Sequence, residues 1–397
     1  MGIFNNHSMK KKIAILGSTG SIGKNTIKII EKNKKDFEVI FLSANTNIKQ
    51  LFDQSIKLKP KAVIIFNQEK FIKYKKKFNK KKIKVFNSFN KLKRSVIKKK
   101  IDYIMCAISG LEGLDSTINC INSTKNIAIA NKESIVCAWN IIEKKLIKNK
   151  TNFIPVDSEH FSIWSLLQNQ SINNIDKIYI TASGGPFLNY KINKLKYVTP
   201  KEAINHPNWR MGKKISIDSA TLMNKVFEVI EAQRIFKVDI KKFKILIHPN
   251  SYIHSIVKFI NGQIKILAHD PDMKIPIFNS IYQNQIKKFN NKTLDINLLN
   301  EINFKHVDLK KFSSVNILKN IKNINTLYET VLISANDELV DLFIKKKIKF
   351  LDISYNLKKI LKMKSFAKLI NQKPSHIREI LSLSKEVRLK TRNLCIK

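Results

Sequence analysis

Short apolar runs alternate with longer polar stretches of helical periodicity through the first third of the chain. Apolar runs of this kind, each followed by a helical stretch, are typical of buried parallel strands with covering helices. The pattern predicts strands at residues 13–17, 38–43, 61–66, 83–86, 101–107 and 127–130. We therefore expect an α/β fold whose first domain, residues 9–152, contains a parallel sheet.

A different pattern begins near residue 153. The apolar runs are fewer and predict mixed strands at 177–182, 243–248, 253–260 and 263–268, with a long helix at 220–236 between them. This arrangement indicates a second, α+β domain over residues 153–285.

Only helical periodicity remains toward the end of the chain. An Asn- and Lys-rich connection occupies residues 286–306, and helices are predicted at 326–346 and 376–392. Residues 307–397 are therefore expected to form a small α-helical C-terminal domain. Residues 1–8 precede the first predicted strand, and we assign this extension no function.

Composition indicates a globular protein of more than one domain and bears on whether it binds nucleic acid. The chain has 397 residues, of which 43% are hydrophobic, so it can build the cores of two or three domains. Its formal net charge of +44 would suit a nucleic-acid-binding protein. Lysine is spread along the whole length, however, and its densest run at 73–82 has no accompanying aromatic ladder. We interpret the charge as a compositional bias and expect no nucleic-acid partner.

The four cysteines form no Cys-x-x-Cys pair, and a chain of this size needs no disulfides to fold. We therefore expect free thiols in a reducing compartment, which favours a cytoplasmic location. The sequence also has no apolar run near the roughly 20 residues that a membrane-spanning helix requires. No membrane association is expected.

A glycine motif directly follows the first predicted strand and opens a helix at 25–31. Its spacing, Gly-x-x-Gly-x-x-Gly, is a variant of the dinucleotide-binding fingerprint. Glycines permit a tight turn and close backbone approach, while free N–H groups and the helix dipole receive a pyrophosphate. The motif predicts a Rossmann-like domain whose cofactor-binding residues include Gly17, Ser18, Thr19, Gly20, Ser21, Ile22 and Gly23.

The end of the second predicted strand carries no carboxylate to hold the ribose hydroxyls of NAD, which favours NADPH. A second candidate lies after the sixth predicted strand, where Lys132 occupies the strand-to-helix junction at which such sheets place ligands. Further cofactor contacts are predicted at Ala44, Asn45, Asn47, Asn131, Lys132, Glu133 and Gly212.

Three carboxylates are candidates for a metal site. In an extended segment, Asp157 and Glu159 would project to the same side, as a hard divalent cation requires. The alternative is a helix N-cap followed by an acidic first turn. Glu228, one helical turn after Asn224, could complete a three-carboxylate set suited to Mg²⁺ or Mn²⁺.

Anion-binding chemistry is concentrated in two further segments. The turn at 181–186 could wrap an anion with backbone N–H groups, or could be an ordinary Gly-Pro turn. Residues 206–225 combine an aromatic loop with small hydroxyl and amide donors, which suits a phosphorylated polyol beside a metal. The candidate side-chain donors to a phosphate are Ser183, Ser219, Asn224 and Lys225.

Taken together, these segments resemble the 1-deoxy-D-xylulose 5-phosphate reductoisomerase family over essentially the whole chain. The motifs that carry the resemblance are 17–23, 130–134, 156–160, 181–187, 206–225, 248–254 and 270–273. The resemblance implies conversion of 1-deoxy-D-xylulose 5-phosphate to 2-C-methyl-D-erythritol 4-phosphate in the non-mevalonate isoprenoid pathway. It further implies a metal-assisted rearrangement of the carbon skeleton, then hydride transfer from NADPH, in a homodimer.

The same resemblance implies a role for each candidate residue. The divalent metal would be bound by Asp157, Glu159 and Glu228, and the phosphate by Ser183, Ser219, Asn224 and Lys225. Lys132 and Ser158 would contact the substrate backbone. A flap over residues 186–214 would cover the substrate, with Trp209 above it and His206 and Met211 beside it. The catalytic residues would be Lys132, Asp157, Glu159, Glu228 and His206.

One departure and two alternatives accompany this interpretation. Family members usually have Ala-Gly-basic-Asn after the second strand, whereas this chain has Ala44-Asn-Thr-Asn47. Asn45 can adopt the left-handed conformation of a glycine, but Thr46 removes a cation expected near the 2'-phosphate, and Lys49 is a candidate replacement.

The alternative functions are an NAD(P)-dependent reductase of another phosphorylated carbohydrate without rearrangement, and a basic nucleic-acid-binding protein.

Overall fold

The computed structural model describes residues 9–209, 211–283, 285, 287–290 and 293–396. The predicted extension at 1–8 and residue 210 of the predicted flap lie outside these residues. The described chain divides into two compact units. The first unit comprises the described residues through Asn131 together with Glu143–Val156 and Pro276–Lys287, and the second comprises Lys132–Ile142, Asp157–Ile275 and the described residues from 288 onward.

A seven-stranded parallel sheet forms the centre of the first unit. Its strands are β1 (Lys11–Leu16), β2 (Phe37–Ala44), β3 (Ala62–Ile65), β4 (Lys84–Phe86), β5 (Ile101–Cys106), β6 (Thr124–Ile129) and β7 (Asn152–Phe153), in the order β4-β3-β2-β1-β5-β6-β7. The helices that connect them are α1 (Ser21–Lys32), α2 (Ile48–Leu58), α3 (Gln68–Asn79), α4 (Phe89–Val96), α5 (Leu114–Cys120) and α6 (Lys132–Lys148). The six strands predicted for this region and its α/β class are confirmed. The two-residue β7 is too short to give a hydrophobic pattern.

The central strands are buried on both faces, which explains their continuous apolar runs. In β1 the four residues from Ile13 to Leu16 are fully buried between β2 and β5. This burial fixes the carboxyl ends of β1, β2 and β5 side by side at one edge of the sheet. The glycine motif begins at that edge.

The second unit contains a mixed five-stranded sheet. Its strands are β8 (Ile175–Ala182), β9 (Phe243–Ile247), β10 (Ile253–Phe259), β11 (Ile264–Ala268) and β12 (Lys305–His306), in the order β11-β10-β8-β9-β12. Only β8 and β9 pair in parallel. Ile178 and Val257 of the sheet pack in one buried cluster with Val229 and Phe236 from a long helix.

Helices make up most of the remainder of the second unit and the segment that leads out of it. They are α7 (Ser158–Leu166), α8 (Pro200–Ala203), α9 (Lys213–Ala220), α10 (Met223–Phe236), α11 (Lys274–Tyr282), α12 (Ile296–Asn300), α13 (Leu327–Ile344), α14 (Phe350–Leu361), α15 (Lys364–Ala367) and α16 (Ile377–Cys395). Helices α10 and α13 are buried along almost their whole length. None of the helices that the structure describes is both long and apolar enough to cross a lipid bilayer.

The helix predicted at 220–236 is wrong at its start. The structure has two helices here, because α9 ends at Ala220 and α10 begins at Met223. Leu222 between them has φ 57°, a left-handed conformation that a leucine adopts only where its surroundings over-determine it. Its side chain is buried with Ala182, Ile247 and Phe312, so packing holds the break. The break places Ser219 in α9 and Asn224 in α10.

A buried ion pair between α10 and α13 gives a test of how these helices are held. The Arg234 guanidinium lies 2.5 Å from the Glu329 carboxylate, and the two side chains are almost fully buried. Loss of one partner of a buried pair leaves an uncompensated charge and costs about 3–5 kcal/mol. We expect Glu329→Gln to lower the free energy of unfolding by about that amount in urea denaturation followed by circular dichroism.

The matched control is Asp341→Asn on the same helix. Asp341 pairs with Lys345 at the surface, and such exposed pairs contribute about 0–1 kcal/mol. Equal losses for the two variants would contradict the assignment of the buried pair as the stabilising contact.

Candidate active site

Three carboxylates converge at the amino end of α7. Asp157 is the N-cap of this helix and accepts a hydrogen bond from the Glu159 backbone N–H at 3.4 Å. Glu159 lies in the first turn, and Glu228 comes from the middle of α10. One carboxylate oxygen from each of the three residues lies within 4.8 Å of the others. The extended segment expected for Asp157 and Glu159 is therefore wrong, since the N-cap of α7 brings these two acids together. The three predicted acids nevertheless form a cluster.

Two lysines lie among these acids. The Lys132 ammonium is 2.5 Å from Asp157, 3.5 Å from Glu228 and 3.4 Å from Glu231. The Lys225 ammonium contacts Glu159 and lies 2.7 Å from Glu228. Burial opposes the charge on both lysines, but the carboxylates outweigh it and raise the pKa of each amine above its ordinary value. Both lysines are therefore cationic at neutral pH.

The acids outnumber the cations. Four carboxylates, those of Asp157, Glu159, Glu228 and Glu231, share two ammonium groups. Burial, and then the neighbouring Glu228 charge, raise the pKa of Glu159 to about 7, and burial raises the pKa of Glu231 to about 7. Burial disfavours the ionised form of both carboxyls, and at Glu159 the neighbouring negative charge adds to this effect.

The cluster fits a divalent cation. When all four carboxylates are ionised, their excess of two negative charges over the lysines equals the charge of Mg²⁺ or Mn²⁺, and hard carboxylate oxygens are the ligands that these ions prefer. Asp157, Glu159 and Glu228 have the spacing to bind one ion together. Lys132 and Lys225 keep the remaining charge in balance at the edge of the site.

Glu231 and His160 belong to this cluster and were missed in the sequence. Glu231 follows Glu228 by three residues, a spacing that places both on one face of α10, so helical periodicity could have revealed it. The His160 imidazole Nε2 is 2.9 Å from the backbone carbonyl of Glu228, and its Nδ1 is 3.9 Å from Asp157. No pattern in the sequence indicates this histidine, because its partner is a backbone atom distant in the chain.

Ser158 and Asn224 support the acids directly. The Ser158 hydroxyl donates to Glu159 at 2.6 Å, and the Asn224 amide donates to Glu228. The amide oxygen of Asn224 is buried and has no hydrogen-bond partner among the described residues. A buried acceptor of this kind is ready to receive a donor from a bound molecule.

The turn after β8 faces the junction of α9 and α10. Gly184 and Gly185 both have positive φ, 85° and 68°. A side chain at Gly185 would lie 2.9 Å from the backbone of Ser219 and Ala220, so the glycine is what permits the turn to pack against α9. The Ser183 hydroxyl accepts the Gly185 N–H at 3.0 Å. Ser183 and Ser219 thus lie in neighbouring backbone segments.

His206 has a defined protonation state and tautomer. Its Nδ1 accepts backbone N–H groups of Asn208 and Trp209, at 3.2 and 3.0 Å. Nε2 therefore carries the proton and donates to the Ser183 hydroxyl at 2.9 Å. Burial, and then the nearby charge of Lys225, lower the pKa of His206 to about 4. The imidazole is neutral at physiological pH.

The other described residues of the 206–214 segment are partly or fully exposed. The Trp209 ring lies edge-on to the His254 ring at 6.1 Å, Met211 is half-buried, and Gly212 is the exposed N-cap of α9. Lys214, in the first turn of α9, joins Glu133, Asp218 and Asp337 at 3.2, 3.0 and 3.0 Å. The segment therefore ends in a buried charge network.

The glycine loop of the first unit has the geometry of an anion site. Gly17 has φ 79°, and side-chain atoms at Gly17 or Gly23 would collide with backbone at 2.6 or 2.2 Å. Gly20 caps α1 without a side-chain hydrogen bond, and the first turn contains no acidic residue. The amino end of α1 is thus open to a negative ligand.

Neighbouring side chains brace this loop. The Ser18 hydroxyl is buried and donates to Gln54 at 2.7 Å, and Ser43 accepts the Gly17 N–H at 2.8 Å. Thr19, Ser21 and Ile22 remain partly or fully exposed. Ser18 is fully buried, and its backbone N–H and carbonyl are bonded to Ser43 and Gln54, so in this structure it supports the loop and offers no free group to a ligand.

The remaining predicted cofactor residues are dispersed. Ala44 ends β2, and Asn45 and Asn47 follow in an exposed loop where Asn47 caps α2 by accepting the Gln50 N–H. Asn45 does not adopt a positive φ, so the glycine-like role considered for it is wrong.

Asn131 braces the loop after β5 by donating to the carbonyls of Ile108 and Gly110. Glu133 and Gly212 lie in the second unit, where Glu133 binds Lys214.

Three family models match the chain. Residues 13–139 match 1-deoxy-D-xylulose 5-phosphate reductoisomerase, residues 153–236 match the C-terminal domain of that enzyme, and residues 269–390 match a DXP reductoisomerase C-terminal domain. Together these segments cover most of the chain and both units.

Curated relatives and solved structures agree with the models. A 1-deoxy-D-xylulose 5-phosphate reductoisomerase of Pelagibacter ubique is 52% identical over 97% of this chain and 100% of its own length. One of Francisella tularensis subsp. novicida is 38% identical over 96% and 97%. The Zymomonas mobilis enzyme in complex with NADPH is 31% identical, with a TM-score of 0.87 over 98% of this chain and 100% of its own.

A further solved structure is a DOX-P reductoisomerase in complex with NADPH, fosmidomycin and magnesium, 31% identical, with a TM-score of 0.89 over 96% of this chain and 98% of its own. The matches extend across the glycine loop, the carboxylate cluster and the C-terminal helices. The chain belongs to the 1-deoxy-D-xylulose 5-phosphate reductoisomerase family.

Proposed function

We propose that the carboxylate cluster and the surrounding donors are the active site of the family's reaction. As a member of this family, the chain is an NADPH-dependent reductoisomerase that converts 1-deoxy-D-xylulose 5-phosphate to 2-C-methyl-D-erythritol 4-phosphate. The observation that carries the assignment of the site is the buried excess of two carboxylates among Asp157, Glu159, Glu228 and Glu231. Solved relatives contain NADPH and magnesium, so the cofactors are NADPH and a divalent cation.

Asp157, Glu159 and Glu228 would hold the cation, whose chemistry when bound is that of a Lewis acid on the ketone and hydroxyl oxygens of the substrate. Ser158 hydrogen-bonds Glu159 and fixes its orientation beside the substrate. Lys132, held cationic by Asp157 and Glu231, contacts the same edge of the cluster. Lys132 stabilises negative charge that develops on the substrate oxygens.

The phosphate of the substrate would lie against the turn after β8 and the first turn of α10. Ser183 and Ser219 supply hydroxyl donors there, Lys225 supplies an ammonium, and Asn224 supplies the second N–H of its amide group, whose first donates to Glu228. The neutral His206 donates from Nε2 toward Ser183 and so orients that hydroxyl. Trp209 and Met211 would cover the substrate and exclude water, which protects the rearranging carbon skeleton from loss and hydrolysis.

A plain reductase of another phosphorylated carbohydrate would leave this metal cluster without a role. Hydride transfer to a carbonyl needs the dinucleotide and a proton donor, but it does not need three converging carboxylates that are almost enclosed by protein. The family assignment and the cluster therefore favour the rearrangement. A nucleic-acid-binding function has no support beyond the net charge.

The metal ligands can be tested by removing one carboxylate at nearly constant shape. We expect Glu228→Gln to weaken Mn²⁺ binding, followed by electron paramagnetic resonance, by at least about 10- to 100-fold, since losses of this size accompany even indirect partners of a metal. Turnover should fall in parallel. The melting temperature should not drop, because the variant removes excess negative charge from a buried cluster.

Glu386→Gln on the exposed face of α16 is the matched control, and it should leave Mn²⁺ affinity and turnover unchanged. Unaltered Mn²⁺ affinity in a folded Glu228→Gln protein would remove Glu228 from the metal site.

We also propose that the chain forms a homodimer through β11. This strand lies at the edge of its sheet and exposes Ile264 and Ile266, which are 58% and 51% accessible, next to an exposed Ile260. An uncovered edge with apolar side chains favours pairing with another chain.

In sedimentation velocity, the double variant Ile264→Lys, Ile266→Lys should be monomeric where the parent protein and an Ile147→Lys control are dimeric. A parent protein that sediments as a monomer at micromolar concentration would contradict this proposal.

A cytoplasmic location is proposed as well, because all four cysteines are free thiols and three of them are buried. Fractionation of cells should recover the chain with cytoplasmic markers, and recovery outside the cytoplasm would contradict this proposal.

A further inference from the structure

The loop that follows β2 is where the sheet distinguishes the two nicotinamide dinucleotides. In dinucleotide-binding sheets the residue after the second strand meets the adenosine ribose, where an acid binds the hydroxyls of NAD and a cation accommodates the 2'-phosphate of NADP. Here the loop is Asn45, Thr46 and Asn47, all exposed and all uncharged. The loop itself therefore supplies no side chain that reads the phosphate by charge.

The adjacent strand brings a cation to this loop. Strand β3 pairs with β2, and the Phe66 N–H donates to the Ala44 carbonyl at 3.1 Å, so the two strands end side by side. Helix α3 starts directly after β3, with Asn67 as its N-cap. Lys70, in the first turn of α3, donates from Nζ to the Thr46 carbonyl at 2.7 Å.

The Lys70 ammonium is fixed at the loop but not neutralised. Its hydrogen-bond partner is a neutral carbonyl, and within the described residues no carboxylate lies within ion-pair distance of it. Lys70 as a whole residue is partly buried. The ammonium therefore keeps its full charge and two further donor positions beside an exposed loop.

We infer that Lys70 binds the 2'-phosphate of NADPH in this protein and so determines its preference over NADH. The inference rests on the proposed use of NADPH. Where family members usually have a basic residue after the second strand, this chain has Thr46. The backbone carbonyl of Thr46 instead holds the Lys70 ammonium at this loop. The Thr46 hydroxyl and the Asn45 amide are the neutral donors available beside it.

Lys70 is favoured over Lys49 on geometry. Lys49 lies in the first turn of α2 and is exposed, and no contact ties its ammonium to the 45–47 loop. An untethered lysine must lose side-chain entropy to bind a phosphate, whereas Lys70 is already held at the loop. Asn47 is not available as a donor in the same way, because its side chain caps α2 and bonds Gln50.

The test compares the affinities of the full-length protein for NADPH and NADH by isothermal titration calorimetry, without substrate or metal. The parent protein should bind NADPH more tightly. A charge-assisted contact to phosphate changes affinity by about tenfold or more, so Lys70→Gln should weaken NADPH binding by at least about tenfold. NADH binding should stay within about twofold, because NADH has no 2'-phosphate.

Two controls isolate the charge. Lys73→Gln removes an exposed lysine from the same helix and should alter neither affinity. Lys70→Arg keeps a cation and should retain most of the preference for NADPH. NADH affinity reports whether the loop is still intact after the Thr46 hydrogen bond is lost.

Equal weakening of both dinucleotides by Lys70→Gln would overturn the inference, since it would show a role in loop structure alone. An unchanged NADPH affinity would also overturn it, and a loss in Lys49→Gln instead would assign the role to Lys49. Failure of the parent protein to bind either dinucleotide would contradict the proposed cofactor itself and is distinct from these outcomes.

Discussion

The candidate active site of the second unit depends on one electrostatic constraint, the crowding of four carboxylates, three of them buried, beside only two lysines. Taking carboxylates out of water is costly unless cations or hydrogen bonds compensate them. Lys132 and Lys225 compensate half of the charge, and burial raises the pKa of both Glu159 and Glu231 to about 7. A divalent cation bound by Asp157, Glu159 and Glu228, as proposed, would complete the balance. Under this proposal the stability and the chemistry of the site both depend on the metal.

The backbone around the cluster is arranged to maintain this crowding. Asp157 caps α7, which brings it to the first-turn Glu159, and the break at Leu222 lets α9 and α10 approach from different directions. Helix α10 packs one side in the apolar core of the sheet and presents its acids and Lys225 from the other. Strain at a buried leucine is therefore located where two helices meet at the proposed phosphate donors, as is common for functional sites.

The sequence predicted those parts of the molecule that depend on local pattern. Strands of the first sheet follow from apolar runs with both faces buried, and the glycine loop follows from its spacing and its position after β1. The carboxylates Asp157, Glu159 and Glu228 were identified through the resemblance and the residue types, although the expected extended geometry was wrong because Asp157 caps a helix.

Other features depend on contacts between distant segments and could not be predicted. The helix expected at 220–236 is interrupted because Leu222 is held by side chains from other parts of the chain. His160 reaches the backbone of Glu228, 68 residues away, and Lys70 reaches the backbone of Thr46 from the next strand unit. Hydrogen bonds to backbone atoms leave no signature in residue type. The division into three domains and the individual roles of the site residues stay predictions.

The most direct measurement is turnover of the purified protein with 1-deoxy-D-xylulose 5-phosphate, NADPH and Mg²⁺, with the product identified by nuclear magnetic resonance. The buried-charge account predicts substrate-dependent oxidation of NADPH and formation of the branched 2-C-methyl-D-erythritol 4-phosphate. EDTA should abolish the reaction, and Mg²⁺ or Mn²⁺ should restore it. Oxidation of NADPH that continues in EDTA, or that yields an unbranched polyol phosphate, would contradict the account.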